Sequence, residues 1–271
     1  MSEKNCIIVT GATRGLGYNF CKFISKLNWD IILIDISKNA FKVYNENKKL
    51  SDLKKNLQNN NRLKFFYGDL SKEKNVKKIF SEIKKSKMVP TGLVNFAGGD
   101  IKGDDKLAKG GKAKNNNLFI NTKDYKSIYE RNYYSTLFTC REFIKISKKK
   151  KLGKIVNVSS ISGTYGSVNE FAYSSAKSNI IYLTRSFANY AKDFNINVNC
   201  IAPCGTTSAR FLKTIKKRGK KDLLRLGKKN LNGFASPEDI SKVVYFLLSD
   251  LSNFVSGQII RIDGGETTSP F

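Results

Sequence analysis

The chain contains no histidine, and this absence restricts the chemistry that it can perform. Without an imidazole there is no Ser-His-Asp or Cys-His nucleophile, no histidine general base and no histidine metal ligand. Acid and base steps must therefore use Tyr, Lys, Asp, Glu or Cys side chains. We expect no metal site.

Cysteines and long apolar runs are also scarce. The longest apolar runs have the length of a strand, as at 31–34, so no segment is predicted to span a membrane. The N-terminus has no signal-peptide pattern. The cysteines are scattered without Cys-x-x-Cys spacing, which is typical of reduced thiols and predicts a cytoplasmic protein. They are Cys6, Cys21, Cys140, Cys200 and Cys204.

Acidic residues are few, with 22 Asp and Glu against 49 Lys and Arg, for a formal charge of +27. The basic residues are 40 Lys and only 9 Arg, and the chain also contains 27 Asn. Specific phosphate or base recognition favours arginine, whose planar fork binds oxygen pairs. We therefore interpret most of this charge as solvated surface and expect no specific nucleic-acid partner.

Strand-like and helix-like segments alternate from end to end, which predicts one α/β domain over 1–271 with a buried parallel sheet and helices on both faces. The predicted strands are Cys6–Val9, Asp30–Ile34, Leu63–Tyr67, Leu93–Phe96, Lys154–Val158, Asn197–Ile201 and Ile259–Ile262. The predicted helices are 15–27, 72–86, 124–150, 171–194 and 237–249.

Two longer segments interrupt this alternation. Residues 98–121 are rich in Gly, Asp, Lys and Asn, and we expect an extended active-site loop. Residues 208–230 carry ten basic residues and one acid, with apolar residues spaced as in amphipathic helices, and we expect a basic substrate lid.

A glycine-rich turn follows the first strand and leads into a helix, at residues 10–17 (TGATRGLG). Glycines at such a turn let the backbone approach a pyrophosphate, which the helix N-terminus binds through its amides. Asp35 ends the second strand, where a carboxylate is able to hold ribose hydroxyls. The pattern favours dinucleotide binding.

Ser160 ends another strand, and Tyr173 and Lys177 follow four residues apart in a helical stretch. Side chains at this spacing share one helix face. An ammonium beside a phenol favours the phenolate, so we expect a lowered Tyr173 pKa and a usable acid/base group. Other Tyr/Lys pairs with this spacing lack a serine thirteen residues upstream.

Together these motifs resemble the short-chain dehydrogenase/reductase family, in its compact single-domain branch. The matching positions are residues 10–17, Asp35, Gly68-Asp69-Leu70, Asn95-Phe-Ala-Gly98, Asn132, Ser160, Tyr173-Ser-Ser-Ala-Lys177, Pro203 and Asp263-Gly264-Gly265. The resemblance implies a doubly wound, Rossmann-type sheet of seven parallel strands. It also implies hydride transfer between a nicotinamide and an alcohol or ketone.

The resemblance implies a role for each matching residue. Tyr173 transfers the proton, Ser160 hydrogen-bonds the reacting oxygen, Lys177 holds the nicotinamide ribose, and Asn132 supports a proton-relay water. The implied catalytic residues are thus Asn132, Ser160, Tyr173 and Lys177. The implied cofactor-binding residues are Gly11, Thr13, Arg14, Gly15, Leu16, Gly17, Asp35, Asp69, Leu70, Asn95, Ala97, Gly98, Tyr173, Lys177 and Pro203.

The cofactor and the substrate are each left with two alternatives. Asp35 favours NAD because a carboxylate repels a 2′-phosphate, whereas Arg14 would bind that phosphate in NADP. A basic lid fits a 3-oxoacyl thioester or an acidic carrier, and a polar loop fits a sugar or polyol. Relatives form dimers and tetramers, and we expect a homotetramer.

Two other interpretations remain open. The lysine excess is compatible with a dinucleotide-binding protein that acts through RNA or an anionic membrane surface. Cys204 stands where the family usually has glycine, which is the one feature that suggests a regulatory relative without activity.

Overall fold

Seven parallel strands form one sheet in the computed structural model, which describes residues 4–59, 61–103, 107–215, 220–226, 228 and 231–268. The strands are β1 Cys6–Thr10, β2 Asp30–Asp35, β3 Leu63–Tyr67, β4 Gly92–Asn95, β5 Gly153–Val158, β6 Ile196–Pro203 and β7 Ile259–Ile262. Their order across the sheet is β3-β2-β1-β4-β5-β6-β7, and all six neighbouring pairs are parallel. The predicted Rossmann-type fold is confirmed, with each predicted strand end within two residues.

The helices cover both faces of this sheet, and all five predicted helical stretches form. The α-helices are α1 Gly15–Ser25, α2 Leu50–Leu57, α3 Glu73–Lys85, α4 Thr122–Tyr129, α5 Ser135–Ser147, α6 Phe171–Ala191, α7 Ala209–Thr214, α8 Lys220–Arg225 and α9 Pro237–Leu248. Helix α2 was not predicted, although the spacing of Leu50, Leu53 and Leu57 marks one helical face. Parts of the 208–230 segment lie outside the described residues.

The predicted helix over 124–150 is one continuous stretch of helical backbone, but it changes its winding in the middle. A π-helical turn, Glu130–Tyr134, separates α4 from α5. Such turns widen the helix locally and occur often at functional sites. The buried Asn132 lies in this turn.

Two apolar layers, one on each face of the sheet, form the core. One contains residues of α3 and α5, such as Phe80 and Phe143, and the other contains residues of α1 and α9, such as Phe20 and Val244. Because both faces are covered, β1, β2, β4 and β5 are buried at every position. This explains why their sequences are nearly continuous apolar runs.

The strand order reverses between β1 and β4, which makes this the topological switch point of the sheet. The connections that leave these two strands run in opposite directions, so a crevice opens at their carboxyl ends. The glycine turn follows β1 and the Phe96–Gly99 segment follows β4, so both predicted motifs reach the crevice.

Candidate active site

A cavity of about 440 Å³ occupies the crevice at the carboxyl ends of the strands. Its walls come from the segments that follow β1, β2, β4, β5 and β6, and from α6 and α7. The predicted site residues that line it are Gly11, Arg14, Gly15, Leu16, Gly17, Asp35, Asp69, Leu70, Ala97, Gly98, Ser160, Tyr173, Lys177 and Pro203.

The glycine turn is packed too closely for side chains. A Cβ on Gly17 would lie 2.2 Å from the Gly11 carbonyl oxygen, and a Cβ on Gly11 would lie 3.0 Å from the Ala97 amide nitrogen. Gly11 also has φ +61°, in the left-handed region that favours glycine. The turn therefore keeps side chains off its own backbone at Gly11 and Gly17, which lets a pyrophosphate approach the start of α1.

Asp35 connects the end of β2 to this turn. One carboxylate oxygen accepts hydrogen bonds from the Thr13 amide at 3.0 Å and the Thr13 hydroxyl at 2.7 Å, and the other accepts one from the Ile36 amide at 2.8 Å. A carboxylate has about four acceptor positions, so it retains capacity for ribose hydroxyls. Thr13 does not line the cavity; it holds Asp35 from behind.

Arg14 contacts Tyr44 and Ala108, two residues that no sequence motif connects with it. Its guanidinium stacks 5.4 Å from the centre of the Tyr44 ring, and its Nη2 donates to the Ala108 carbonyl at 3.2 Å. Its Nη1 is buried without a hydrogen-bond partner among the described residues. An unpaired buried donor beside the glycine turn fits a site that takes phosphate oxygens.

Glu46 is a second carboxylate at this turn, and no sequence motif identifies it. It accepts a hydrogen bond from the Gly15 amide at 2.7 Å and faces Asn19 at 3.5 Å. Burial raises its pKa, while the Gly15 amide and the positive charge of Arg14 lower it. Glu46 therefore places a carboxylate close to Arg14, while Asp35 holds the preceding residue, Thr13.

Asn95 is placed differently from the other predicted cofactor residues. Its side chain is buried, donates to Asn157 Oδ1 at 2.9 Å and accepts from the Thr139 hydroxyl at 2.8 Å. It does not line the cavity. Its polar groups are used to join β4 to β5 and α5 behind the cavity wall.

Ser160 and Tyr173 meet at the end of β5. The Ser160 hydroxyl accepts hydrogen bonds from the Ser162 amide at 3.3 Å and the Ser162 hydroxyl at 2.9 Å. It also lies close enough to the Tyr173 phenol to lower the pKa of that phenol, although burial outweighs this effect. Both side chains line the cavity, so a substrate oxygen is able to reach a serine hydroxyl and a phenol together.

The expected lowering of the Tyr173 pKa is wrong for this structure. Burial is the largest influence and raises that pKa, with further increases from the negative charges of Glu170 and Asp100. Lys177 Nζ lies 5.4 Å from the centre of the Tyr173 ring and donates to the Val158 carbonyl at 2.7 Å. Burial lowers the pKa of Lys177 to about 8, which weakens its average charge near neutral pH.

Asn132 supports the site from the π-helical turn. Its side chain accepts a hydrogen bond from the Gly99 amide at 2.8 Å and donates to the Gly99 carbonyl at 3.0 Å. A Cβ on Gly98 would lie 2.5 Å from Asn132 Oδ1 and 3.5 Å from Lys177 Nζ. Asn132 is fully buried and does not line the cavity, so it fixes the Gly98–Gly99 backbone next to Lys177.

Replacing Lys177 with Met is expected to change how stability depends on pH. The unfolded Lys177 pKa of 10.5 falls to about 8 on folding, so between these values the unfolded chain binds more protons and stability rises with pH. Below pH 8 the unfavourable contribution is fully present. Relative to Lys177→Met, the wild-type free energy of unfolding should therefore rise by about 3 kcal/mol from pH 7 to pH 11.

Urea unfolding at several pH values measures this difference. The exposed Lys242, in an ion pair with Glu238 on α9, provides a control as Lys242→Met. Its stability difference from wild type should stay nearly constant over the same range. A constant difference for Lys177→Met would contradict the assignment.

The loop after β4 lines the cavity through Gly98–Ile101, Ala108 and Lys112. Four charged residues meet there: Asp100, Lys112, Glu170 and Arg210. No sequence motif joins these charges, because opposite charges as far apart as Lys112 and Glu170, which are 58 residues apart, leave no local pattern.

Cys204 also lines the cavity, and burial raises the pKa of its thiol. A thiol with a raised pKa is a weak nucleophile at neutral pH, so the structure provides no support for a reactive cysteine. Among the residues that the structure describes, no cluster of Cys, Asp and Glu is placed to hold a metal ion. No described helix has the length and apolar character needed to cross a membrane.

Known proteins match the chain along nearly all its length. A family model described as enoyl-(acyl carrier protein) reductase matches residues 11–267. The chain is 29% identical over 265 residues to the 3-oxoacyl-[acyl-carrier-protein] reductase FabG of Chlamydia muridarum (strain MoPn / Nigg), with 95% of each chain covered. It is 30% identical over 197 residues to the 3-oxoacyl-[acyl-carrier-protein] reductase of Bos taurus, covering 73% of this chain and 75% of the bovine one.

Solved structures match the fold equally widely. A short-chain type dehydrogenase/reductase from Mycobacterium ulcerans has a TM-score of 0.82 at 18% identity, over 98% of this chain and 90% of that one. ElxO with NADP bound has a TM-score of 0.80 at 25% identity, over 97% of this chain and 98% of that one. The region that the family model matches, residues 11–267, contains both the glycines of the turn and the residues around Tyr173.

Proposed function

The chain belongs to the short-chain dehydrogenase/reductase family of oxidoreductases, and on that premise we propose that it interconverts an alcohol and a carbonyl compound with a nicotinamide cofactor. The observation that carries this proposal is the convergence of Ser160, Tyr173 and Lys177 on a cavity that the glycine turn also lines.

The residues at that turn fit a dinucleotide. Gly11, Gly15 and Gly17 would admit the pyrophosphate, and Asp35 would hold the adenosine ribose. Asp69 and Leu70 would flank the adenine. Lys177 would hold the nicotinamide ribose, beside the Gly98–Gly99 backbone. Ala97 and Pro203 would make further contacts with the cofactor. When bound, the nicotinamide supplies or accepts the hydride.

The protein's own part is to hold the reacting oxygen and move one proton. In the reductive direction, Ser160 donates a hydrogen bond to the carbonyl oxygen, and the Tyr173 phenol gives its proton to that oxygen. Solvent then returns a proton to Tyr173. Asn132 acts indirectly, because it fixes the backbone next to Lys177.

NAD is the proposed cofactor, with NADP as the alternative. Asp35 and Glu46 place two carboxylates at the glycine turn, and a 2′-phosphate would be repelled by both. The unpaired Arg14 Nη1 is the feature that favours NADP.

Asp35→Ala should shift preference toward NADPH by about 10-fold or more, because it removes a carboxylate that repels the phosphate. The measurement is the ratio of kcat/KM with NADH to kcat/KM with NADPH. Asp52→Ala removes a carboxylate that accepts a hydrogen bond from the Lys49 amide at the start of α2, and as a control it should leave the ratio unchanged. A wild-type enzyme that clearly prefers NADPH would overturn the NAD assignment.

A screen with NADH and NADPH tests the proposed function. The substrates should include 3-oxoacyl thioesters, sugars, polyols and steroid ketones. The names of the relatives support the thioesters, and the polar loop supports the hydroxylated compounds. Tyr173→Phe serves as the blank in every assay. Activity that persists in this variant would show that the proton donor is assigned incorrectly.

The protein is also proposed to form a homotetramer. The supporting observation is a set of exposed aromatic side chains on and beside two helices. Tyr182 and Tyr190 in α6 are 71% and 56% exposed, and Tyr134, just before α5, is 37% exposed. Light scattering measures the mass. A monomer at micromolar concentration would contradict this assembly.

A further inference from the structure

The part of the cavity around Tyr173 is lined by charged side chains from three separate elements. Asp100 and Lys112 belong to the loop after β4, Glu170 precedes α6, and Arg210 lies in α7. The charges of Asp100, Glu170 and Arg210 are close enough to influence the Tyr173 phenol. A substrate that reaches Tyr173 therefore meets this set of charges, which we name the mouth cluster.

Ion pairs tie three members of the mouth cluster together. Lys112 Nζ lies 3.4 Å from Asp100 Oδ2 and also pairs with Glu170 Oε1. Asn116 donates to the same Asp100 oxygen at 2.8 Å, and its carbonyl accepts from the Glu170 amide at 2.6 Å. These bonds join the loop to the residue that begins the Tyr173 helix.

Glu170 is held in an uncommon backbone conformation, with φ +65° in the left-handed region. A non-glycine residue persists there when its surroundings fix it, and such residues are concentrated at functional sites. Here the Lys112 pair and the Asn116 bond provide that fixation. The Glu170 carboxylate is consequently directed toward Lys112 at the edge of the cavity.

Arg210 is the fourth member, and it retains hydrogen-bonding capacity. Arg210 Nη2 donates to the Asp100 carbonyl at 2.7 Å. Arg210 Nη1 packs against Gly99, since a Cβ on Gly99 would lie 2.3 Å from this nitrogen. Among the described residues its guanidinium makes no other hydrogen bond. A guanidinium has five N–H donors in a fixed plane, so several remain for a ligand in the cavity.

We propose that the mouth cluster binds hydroxyl groups next to the reacting carbon, so that the substrate is a small, neutral, polyhydroxylated molecule such as a sugar or polyol. This inference rests on the proposed function. A hydroxyl both donates and accepts, and it therefore satisfies a carboxylate and a guanidinium together. Two acids and two bases balance in the cluster, which favours a neutral ligand over a phosphate or carboxylate.

An acyl chain is a poor partner for the same surface. Its methylene groups would remove water from charged side chains and offer no hydrogen bond in return. Sites built to bond a substrate hydroxyl reject analogues without it by large factors, because the site's polar groups are left unpaired. The mouth cluster therefore selects against a 3-oxoacyl thioester.

The experiment compares substrates that differ by one hydroxyl. Oxidation of cis-1,2-cyclohexanediol and of cyclohexanol is measured with NAD and with NADP, beside an aldose and polyol panel. Reduction of acetoacetyl-coenzyme A is measured with NADH and NADPH. We expect kcat/KM for the diol to exceed that for cyclohexanol by about 100-fold, and acetoacetyl-coenzyme A to be reduced least efficiently.

Two variants assign the effect to the cluster. Arg210→Gln should lower the ratio of kcat/KM for the diol to kcat/KM for cyclohexanol by about 10-fold or more, because a change that acts through the Tyr173 pKa affects both substrates and cancels in this ratio. The exposed Lys145 of α5, which pairs with Glu142, gives the control Lys145→Gln, for which both substrates should be unchanged. The diol should also raise the Tm of the cofactor-loaded wild type more than that of the cofactor-loaded Arg210→Gln variant.

The possible failures are distinguishable. If acetoacetyl-coenzyme A is the best substrate and Tyr173→Phe abolishes its reduction, the proposed function stands and the polyhydroxylated substrate is wrong. If Arg210→Gln reduces diol and cyclohexanol equally, the cluster does not recognise hydroxyls. If no substrate class is turned over with any cofactor, both proposals fail.

Discussion

Tyr173→Phe should reduce kcat/KM by about 10²- to 10⁴-fold, because it removes the phenol that lines the cavity beside Ser160 and that we propose as the proton donor. The chain has no histidine to replace it as a proton donor. Phenylalanine retains the ring, so the fold and cofactor affinity should be preserved. Steady-state kinetics with the best substrate of the screen measure the loss.

Tyr245→Phe is the control for this variant. Tyr245 lies on α9, where its ring packs against Phe23 and Trp29, and it does not line the cavity. Loss of its hydroxyl should leave kcat/KM within about 2-fold. Equal effects of the two substitutions would show that the Tyr173 hydroxyl has no special part in the reaction.

The raised pKa of Tyr173 should make the rates of carbonyl reduction and alcohol oxidation depend on pH in opposite ways. Burial and the negative charges of Glu170 and Asp100 raise this pKa, so the phenol stays protonated at neutral pH. A protonated phenol is ready to donate, which favours carbonyl reduction. Alcohol oxidation needs the phenolate, so its rate should rise with pH through the range in which reduction slows.

Gly17→Ala should destabilise the protein by about 1–3 kcal/mol, since its Cβ would lie 2.2 Å from the Gly11 carbonyl oxygen. The obstacle is backbone at the turn itself, so relief requires the turn to open. An opened turn no longer presents its amides correctly, and cofactor affinity should fall by about 10-fold or more. Urea unfolding and titration of NADH fluorescence measure the two effects.

Gly166→Ala separates this steric effect from a general effect of replacing glycine. A Cβ on Gly166 would have no heavy atom within 4 Å, and its φ lies outside the left-handed region. This control should change the free energy of unfolding by less than about 0.5 kcal/mol and leave NADH affinity unaltered. A stable Gly17→Ala protein with normal affinity would show that the turn tolerates a methyl group there.

The strands were the most predictable part of the fold. A strand buried on both faces must be apolar along its whole length, and this leaves short runs such as Cys6–Val9 that are visible in the sequence. The π-helical turn was not predictable, because the residues of Glu130–Tyr134 fit an ordinary helix equally well. The winding of this turn depends on the hydrogen bonds between Asn132 and Gly99, and Gly99 belongs to a different part of the chain.

The site shows the same division. Ser160, Tyr173 and Lys177 were identifiable from spacing and from the family resemblance, and all three line the cavity. The sign of the Tyr173 pKa shift was predicted wrongly, since spacing shows that Lys177 is near but says nothing about desolvation. Burial is a property of the folded protein, and here it exceeds the influence of the neighbouring ammonium.

The missing histidine and the order of motifs along the chain determined the family, the sheet and the acid/base type, because each is encoded by local spacing or by composition. Only the tertiary structure placed Glu46 at the glycine turn and joined Asp100, Lys112, Glu170 and Arg210 around Tyr173. These groups are separated by up to 110 residues, and their meeting depends on how the loops fold over the sheet. The substrate inference therefore depends on the structure, whereas the reaction class was already indicated by the sequence.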